Sequence, residues 1–169
     1  MGAPPAHRIR QWLTAAGKSA DTAGPVRDRV IVAGQFIENS GRVPDAFDLL
    51  RGIDFSKPVT VVRQLPMGVY VQFAGRHRGA WFTHAGLTPD QVGLAEGQRV
   101  RKLFRPIGAV AALESTARPI NDWWTHGRLQ EHLDPTGSIR HDTRAYGQHT
   151  LGGGRQYLVI DRFQMQELP

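Results

Sequence analysis

The residues best suited to chemistry form the run Gly152-Gly153-Gly154-Arg155-Gln156-Tyr157. Three glycines give a backbone that can take positive φ and approach a ligand closely. A strand follows at once, which places Gln156 at a strand mouth, aimed by a rigid element. A hinge before the last strand accounts for the same residues.

A second cluster is Trp81-Phe82-Thr83-His84-Ala85-Gly86-Leu87-Thr88-Pro89. An aromatic ring for stacking and a hydroxyl for a ribose would make one wall of a nucleotide pocket. An ordinary β-turn with Phe82 in the core is the plainer reading of the same residues. The third is Glu114-Ser115-Thr116-Ala117-Arg118-Pro119-Ile120-Asn121-Asp122-Trp123-Trp124. Here Ser115 or Thr116 reads as the cap of a turn, and the tandem tryptophans as at least half-buried. Four of the seven histidines, His126, His132, His141 and His149, fall between Trp123 and Thr150. Their spacing is irregular, with no His-Glu-x-x-His pattern. They read as loop histidines rather than as a zinc set or an RNase-type acid–base pair.

Several mechanisms lack their residues. Cysteine is absent, which removes disulfides, thiolate metal sites and a cysteine nucleophile. There is no Walker-type phosphate loop, no Gly-x-Gly-x-x-Gly opening a helix and no Gly-x-Ser-x-Gly elbow. The 169 residues carry 21 Lys+Arg against 15 Asp+Glu, a formal charge of +6. That balance suits an anionic partner such as nucleic acid, a nucleotide or an acidic protein. Nearly all the cations are arginine, the better bidentate phosphate ligand, although genome base composition yields the same excess. Mean hydropathy is −0.36, and no apolar run approaches the roughly 18 residues of a bilayer span. Residues 1–5 lack the layout of a signal peptide.

The elements that must position these residues divide the chain at Gly52. Ile9, Trp12 and Leu13 recur at helical spacing over Arg8–Ala16, and Gly17 stops that helix. Pro25 opens a second helix ending near Asn39-Ser40-Gly41, and Asp45–Arg51 suits a short third one. Beyond Gly52 the texture becomes β-branched and turn-rich. Strands are expected over 59–65, 69–73, 80–83 and 100–105, with strand or short helix over 109–114 and a closing strand over 158–163. The expected fold is α+β: an N-terminal helical segment, 1–51, then a compact, mainly antiparallel sheet over 52–169.

The order of motifs carries a resemblance. It runs Gly52-Ile53-Asp54-Phe55-Ser56-Lys57-Pro58, a strand pair, Phe82-Thr83-x-x-Gly86-x-x-Pro89, Glu114-Ser115-Thr116-Ala117-x-Pro119-Ile120, and Gly152-Gly153-Gly154-x-Gln156-Tyr157. Over residues 52–163 this resembles the C-terminal toxin domains of bacterial polymorphic toxins, type 46. More distantly it is similar to the NAD glycohydrolase domain of the tuberculosis necrotizing toxin. The resemblance implies a split β-sheet of ADP-ribosyltransferase-like type with NAD, as substrate, in the cleft. It implies catalytic roles for Gln156, Thr83 and Arg99, and NAD contacts from Gln72, Arg76, Phe82, Gly154 and Tyr157. The family's first-strand arginine falls at Gln72, and its central histidine at Arg99. The implied protein is a monomeric effector domain with no bound metal. It is secreted by one bacterium, acts in the cytoplasm of another, and is blocked by an acidic immunity protein.

Three functions are therefore expected to compete. The first is NAD cleavage at the nicotinamide–ribose bond, by hydrolysis or by ADP-ribosyl transfer to RNA or protein. Nicotinamide leaves neutral, so binding of pyrophosphate and stabilisation of an oxocarbenium-like ribose suffice, without a general acid. A glutamine amide cannot act as a base near pH 7, so Gln156 would orient rather than deprotonate. The second is a metal-independent RNase, suggested by charge and histidine content. The third is a binding module, in which the glycines are a hinge and the arginines a docking face.

Overall fold

The protein was analysed as a computed structural model that describes residues 4–40, 46–74, 80–92, 100–119, 121–123, 147–149 and 151–169. Helix α1 (Ala6–Ala15) buries Ile9, Trp12 and Leu13, the stripe its spacing requires. Gly17, at φ +75°, ends it. The Gly17 and Lys18 N–H groups return to the Thr14 and Leu13 carbonyls at 3.0 and 2.8 Å, satisfying orphan acceptors of the last turn. Helix α2 (Pro25–Asn39) starts on its proline and buries Val30, Ala33, Gly34 and Ile37. Gly34 is required by packing: a Cβ there would stand 2.3 Å from Trp12 Cδ2. Trp12 in turn donates from Nε1 to Glu38 at 3.3 Å, and Arg8 pairs with the same carboxylate. Helix α3 (Ala46–Arg51) delivers the chain to Gly52.

Among the described residues nine strands follow: β1 (Thr60–Val62), β2 (Tyr70–Ala74), β3 (Trp81–His84), β4 (Val100–Pro106), β5 (Ala112–Thr116), β6 (Asn121–Trp123), β7 (Gly147–His149), β8 (Arg155–Leu158) and β9 (Met165–Glu167). Seven form one sheet in the order β1-β5-β8-β3-β2-β4-β9, with every neighbouring pair antiparallel. β6 and β7 pair separately. The expected α+β architecture with an antiparallel sheet is what the chain forms. The split implied by the resemblance does not appear as a break in pairing within the seven strands.

The sheet separates two cores. On the helix side, Leu113, Leu158 and Ile160 join Trp12, Leu13, Val30, Ile37, Leu50, Ile53 and Phe55. Residues before and after Gly52 thus bury their apolar faces together. On the outer side, Tyr70, Phe82, Phe104, Ala112, Tyr157, Val159 and Met165 form a second cluster with Leu65 and Val110. The period-2 pleat produces this division: consecutive residues of one strand feed opposite cores.

Two expectations change here. The strand read over 158–163 begins three residues earlier, at Arg155, and it is central rather than closing. Val159 and Ile160 lie just past the strand. Ser115 and Thr116, read as turn caps, lie inside β5.

Candidate functional site: two faces of strand β8

The glycine turn seats β8 by approaching the chain itself. Gly152 has φ +62°, and a Cβ on it would lie 2.4 Å from Pro119 N and 2.7 Å from Ala117 O. Gly153, at φ +80°, donates to Ala117 O at 2.9 Å. Gly154 donates to Gln91 O at 2.8 Å and accepts from Ala117 N–H at 2.9 Å, and a Cβ there would stand 2.7 Å from Gln91 O. The close approach that the glycines permit is therefore used for strand docking at Gly152 and Gly154.

Within β8 the register places Gln156 opposite Thr83 on β3 and opposite Ser115 on β5. All three face the helix side and are buried, with Gln156 4% exposed. Gln156 Nε2 donates to Gly52 O at 3.0 Å and to Ser115 Oγ at 3.2 Å. Thr83 Oγ1 donates to Arg155 O at 2.7 Å. The Gly52 carbonyl also receives the Arg118 N–H at 3.1 Å. The glutamine thus ties the end of α3 to the middle of the sheet. Gln156 sits inside the strand rather than at its mouth, and both hydrogens of its amide are committed.

Tyr157 points the other way. Its hydroxyl lies 2.8 Å from His84 Nε2. The Tyr70 ring closes the group, edge-on to Tyr157 at 5.6 Å and tilted against His84 at 5.7 Å. Tyr70 is anchored by its own hydroxyl, which donates to Pro66 O at 2.7 Å. Glu114 stands opposite Tyr157 in the register, and Arg155 Nε lies 3.8 Å from Glu114 Oε1. Burial raises the Tyr157 phenol above its ordinary value; the Glu114 carboxylate raises it further and Arg155 pulls it back. Burial likewise raises Tyr70, reinforced by Tyr157 and Glu114. Both remain neutral hydrogen-bonding phenols through the physiological range.

The expected site residues therefore fall into two groups divided by the sheet. Thr83 and Gln156 meet on the helix side. Gln72, Phe82 and Tyr157 belong to the outer side. Gln72 is 3% exposed and donates from Nε2 to Trp81 O at 3.2 Å. Phe82, expected to offer its ring to a flat ligand, is 1% exposed and packs edge-on against Phe104 at 5.1 Å. Core packing has claimed it. Arg76 and Arg99 lie outside the described residues, as do His126, His132 and His141. The sequence reading passed over Ser115 as a partner of Gln156, and over His84, Glu114 and Arg155 as neighbours of Tyr157. Alternation along Glu114-Ser115-Thr116 would have put Glu114 and Ser115 on opposite faces once that run was read as a strand.

Two of the hollows among the described residues lie elsewhere. One of about 770 Å³ runs between α2 and β1, lined by Val32, Phe36, Val61, Ile160 and Phe163, with Asp161 at its side. Gln35, Asn39, Ser40 and Gln164 share its wall, and none of the described site residues lines it. The other, about 450 Å³, presents His7, Arg10 and Arg51 between α1 and α3.

No protein-family model matches the sequence, and no curated protein matches it. Among solved structures, that of Tse6 in complex with Tsi6 has a TM-score of 0.64 at 21% identity, over 88% of this chain and 99% of that chain. The likeness is one of fold, and it extends over nearly the whole of both chains. No helix among the described residues is long and apolar enough to cross a membrane.

Proposed function

We propose that this protein is an interbacterial effector toxin that cleaves the nicotinamide–ribose bond of NAD, with hydrolysis as the main outcome. The observation that carries the reading is the seating of β8. The Gly-Gly-Gly turn fixes Gln156 between Thr83 and Ser115, in a fold shared with a protein solved as a two-protein complex. The more distant similarity to the NAD glycohydrolase domain of the tuberculosis necrotizing toxin supplies the substrate. In this reading Gln156 is a positioning residue that holds the Gly52 segment, and Thr83 fixes the strand beside it. Phe82, Gln72 and Gly154 shape the site from within, Tyr157 contacts the ligand, and Arg76 and Arg99 supply charge for the pyrophosphate. The ADP-ribosyltransferase-like character of the sheet, and the division at 51/52 into a helical segment and a catalytic segment, belong to the same reading. Transfer of ADP-ribose to an RNA or protein acceptor is its second branch.

An acidic immunity protein is the partner this reading requires. The hollow holding His7, Arg10 and Arg51 gives acidic side chains a place to dock. The domain acts as a monomer, secreted by the producing bacterium and active in the cytoplasm of the target cell.

Nicotinamide release from NAD tests the reading, with the purified protein alone and with cell lysate added. Release by the protein alone, abolished in a folded Gln156→Ala variant, is the expected result. Release only with lysate selects transfer. No release under either condition overturns the proposal.

A further inference from the structure

The outer side of the sheet holds three groups, His84, Glu114 and Arg155, to which the NAD reading gives no role. His84 is exposed, and Glu114 and Arg155 have side chains 30% and 63% exposed. They occupy three neighbouring strands, β5, β8 and β3, with Tyr157 between them. One step past the Thr83–Gln156 pair, antiparallel register brings His84 opposite Arg155. Glu114 is opposite Tyr157, whose hydroxyl contacts His84. A carboxylate and an imidazole therefore flank one phenol, with a guanidinium beside the carboxylate. Tyr157 can donate to Nε2 of a neutral imidazole or accept from Nε2–H of a protonated one. The ring is held through both states.

We propose that this cluster is a ribonucleotide phosphodiester site, which cleaves single-stranded RNA by internal transphosphorylation. The three groups match the needs of that step one for one. Glu114 takes the proton of the 2′-hydroxyl. O2′ attacks phosphorus, the P–O5′ bond breaks, and protonated His84 gives its proton to the departing O5′. Arg155 holds the non-bridging oxygens as charge builds on them. The products are a 2′,3′-cyclic phosphate and a 5′-hydroxyl, so atoms and protons balance with no further reactant. The reaction calls for both a base and an acid, whereas loss of neutral nicotinamide calls for no acid. The formal charge of +6 favours a polyanionic substrate over a small one. This inference stands apart from the NAD reading, because its base, its acid and its phosphate clamp are residues to which that reading gives no role.

The test uses the purified chain, a 5′-labelled mixed-sequence oligoribonucleotide, its 2′-deoxy counterpart, and EDTA throughout. The expected result is cleavage of the ribo-oligomer alone, with fragments ending in cyclic phosphate. Glu114→Gln and His84→Asn should each slow it about 100-fold or more. Arg155→Lys should slow it about 10-fold, because a point charge replaces a planar fork. Thermal unfolding of each variant confirms that the fold is kept. Nicotinamide release, measured on the same preparations, reports the NAD reading separately. Intact RNA with the unaltered protein, equal cleavage of the deoxy oligomer, or full cleavage by a folded Glu114→Gln variant would each overturn the inference.

Discussion

The two sides of β8 have the same backbone and opposite characters. On the helix side, Gln156, Ser115 and Thr83 are neutral and buried; bonds to Gly52 O and Ser115 Oγ commit the glutamine amide hydrogens, and Thr83 donates to Arg155 O. On the outer side, Tyr157 meets an imidazole, a carboxylate and a guanidinium, those of His84, Glu114 and Arg155, and these three reach solvent. Buried neutral polar groups that satisfy one another fix geometry. Charged groups at a solvent boundary can exchange protons and meet ligands. The difference suits the inner row to holding the fold and the rim of the outer one to meeting solvent and ligands.

The most damaging change should be Gly152→Ala, because it attacks both faces together. The new Cβ would meet backbone atoms at 2.4–2.7 Å with φ at +62°, and backbone cannot rotate away as a side chain does. A loss of about 3 kcal/mol or more in urea denaturation is expected. An unfolding midpoint matching the parent would show that the turn does not seat the strand.

Gln156→Ala separates the faces. It removes the donor to Gly52 O and Ser115 Oγ and leaves a buried gap, at a cost of about 2–4 kcal/mol. The outer cluster should survive in the folded fraction, visible as an unchanged His84 ring resonance. A shift of that resonance as large as the one in Gly152→Ala would dissolve the distinction between the faces.

Tyr157→Phe touches only the outer side. It should cost about 1 kcal/mol, the ordinary net worth of one hydrogen bond, and leave the Gln156 network intact. The same substitution sharpens a pH effect. Tyr157 and Tyr70 are raised from the ordinary phenol value of 10.0. A phenol with a raised folded pKa holds its proton more tightly when folded. Stability is therefore complete below pH 10 and declines as pH rises beyond it, toward the folded pKa. Denaturation midpoints at pH 8, 10 and 11 should fall in that order, and less steeply in Tyr157→Phe. Equal slopes would show that the phenol is not shielded.

Smallest of all, Arg155→Ala should change stability by less than about 0.5 kcal/mol, because its ion pair with Glu114 is largely solvated. A loss above 1 kcal/mol in the same titration would mean that the outer rim also holds the fold.

Much of this was legible before any tertiary contact was known. The Ile9-Trp12-Leu13 spacing, Pro25 at a helix start, and Gly17 at a helix end are local signals, and local backbone physics fixes them. The antiparallel β texture after Gly52 is equally local. The two-sided site was not legible, because a strand's facing depends on register, and register is set by residues far apart in the chain. Gly152 reads as a flexible residue until Pro119 and Ala117 are seen against it. Phe82 reads either as a stacking platform or as a core ring until Phe104 is seen to cover it.

The sequence by itself determined the helices, the β-rich segment and the residue types available for chemistry, since each follows from periodicity, turn residues and composition. Only the tertiary structure decided that Gln156 faces inward while Tyr157 faces His84. A pleated strand turns alternate side chains to opposite sides, and which side becomes core depends on where the helices pack.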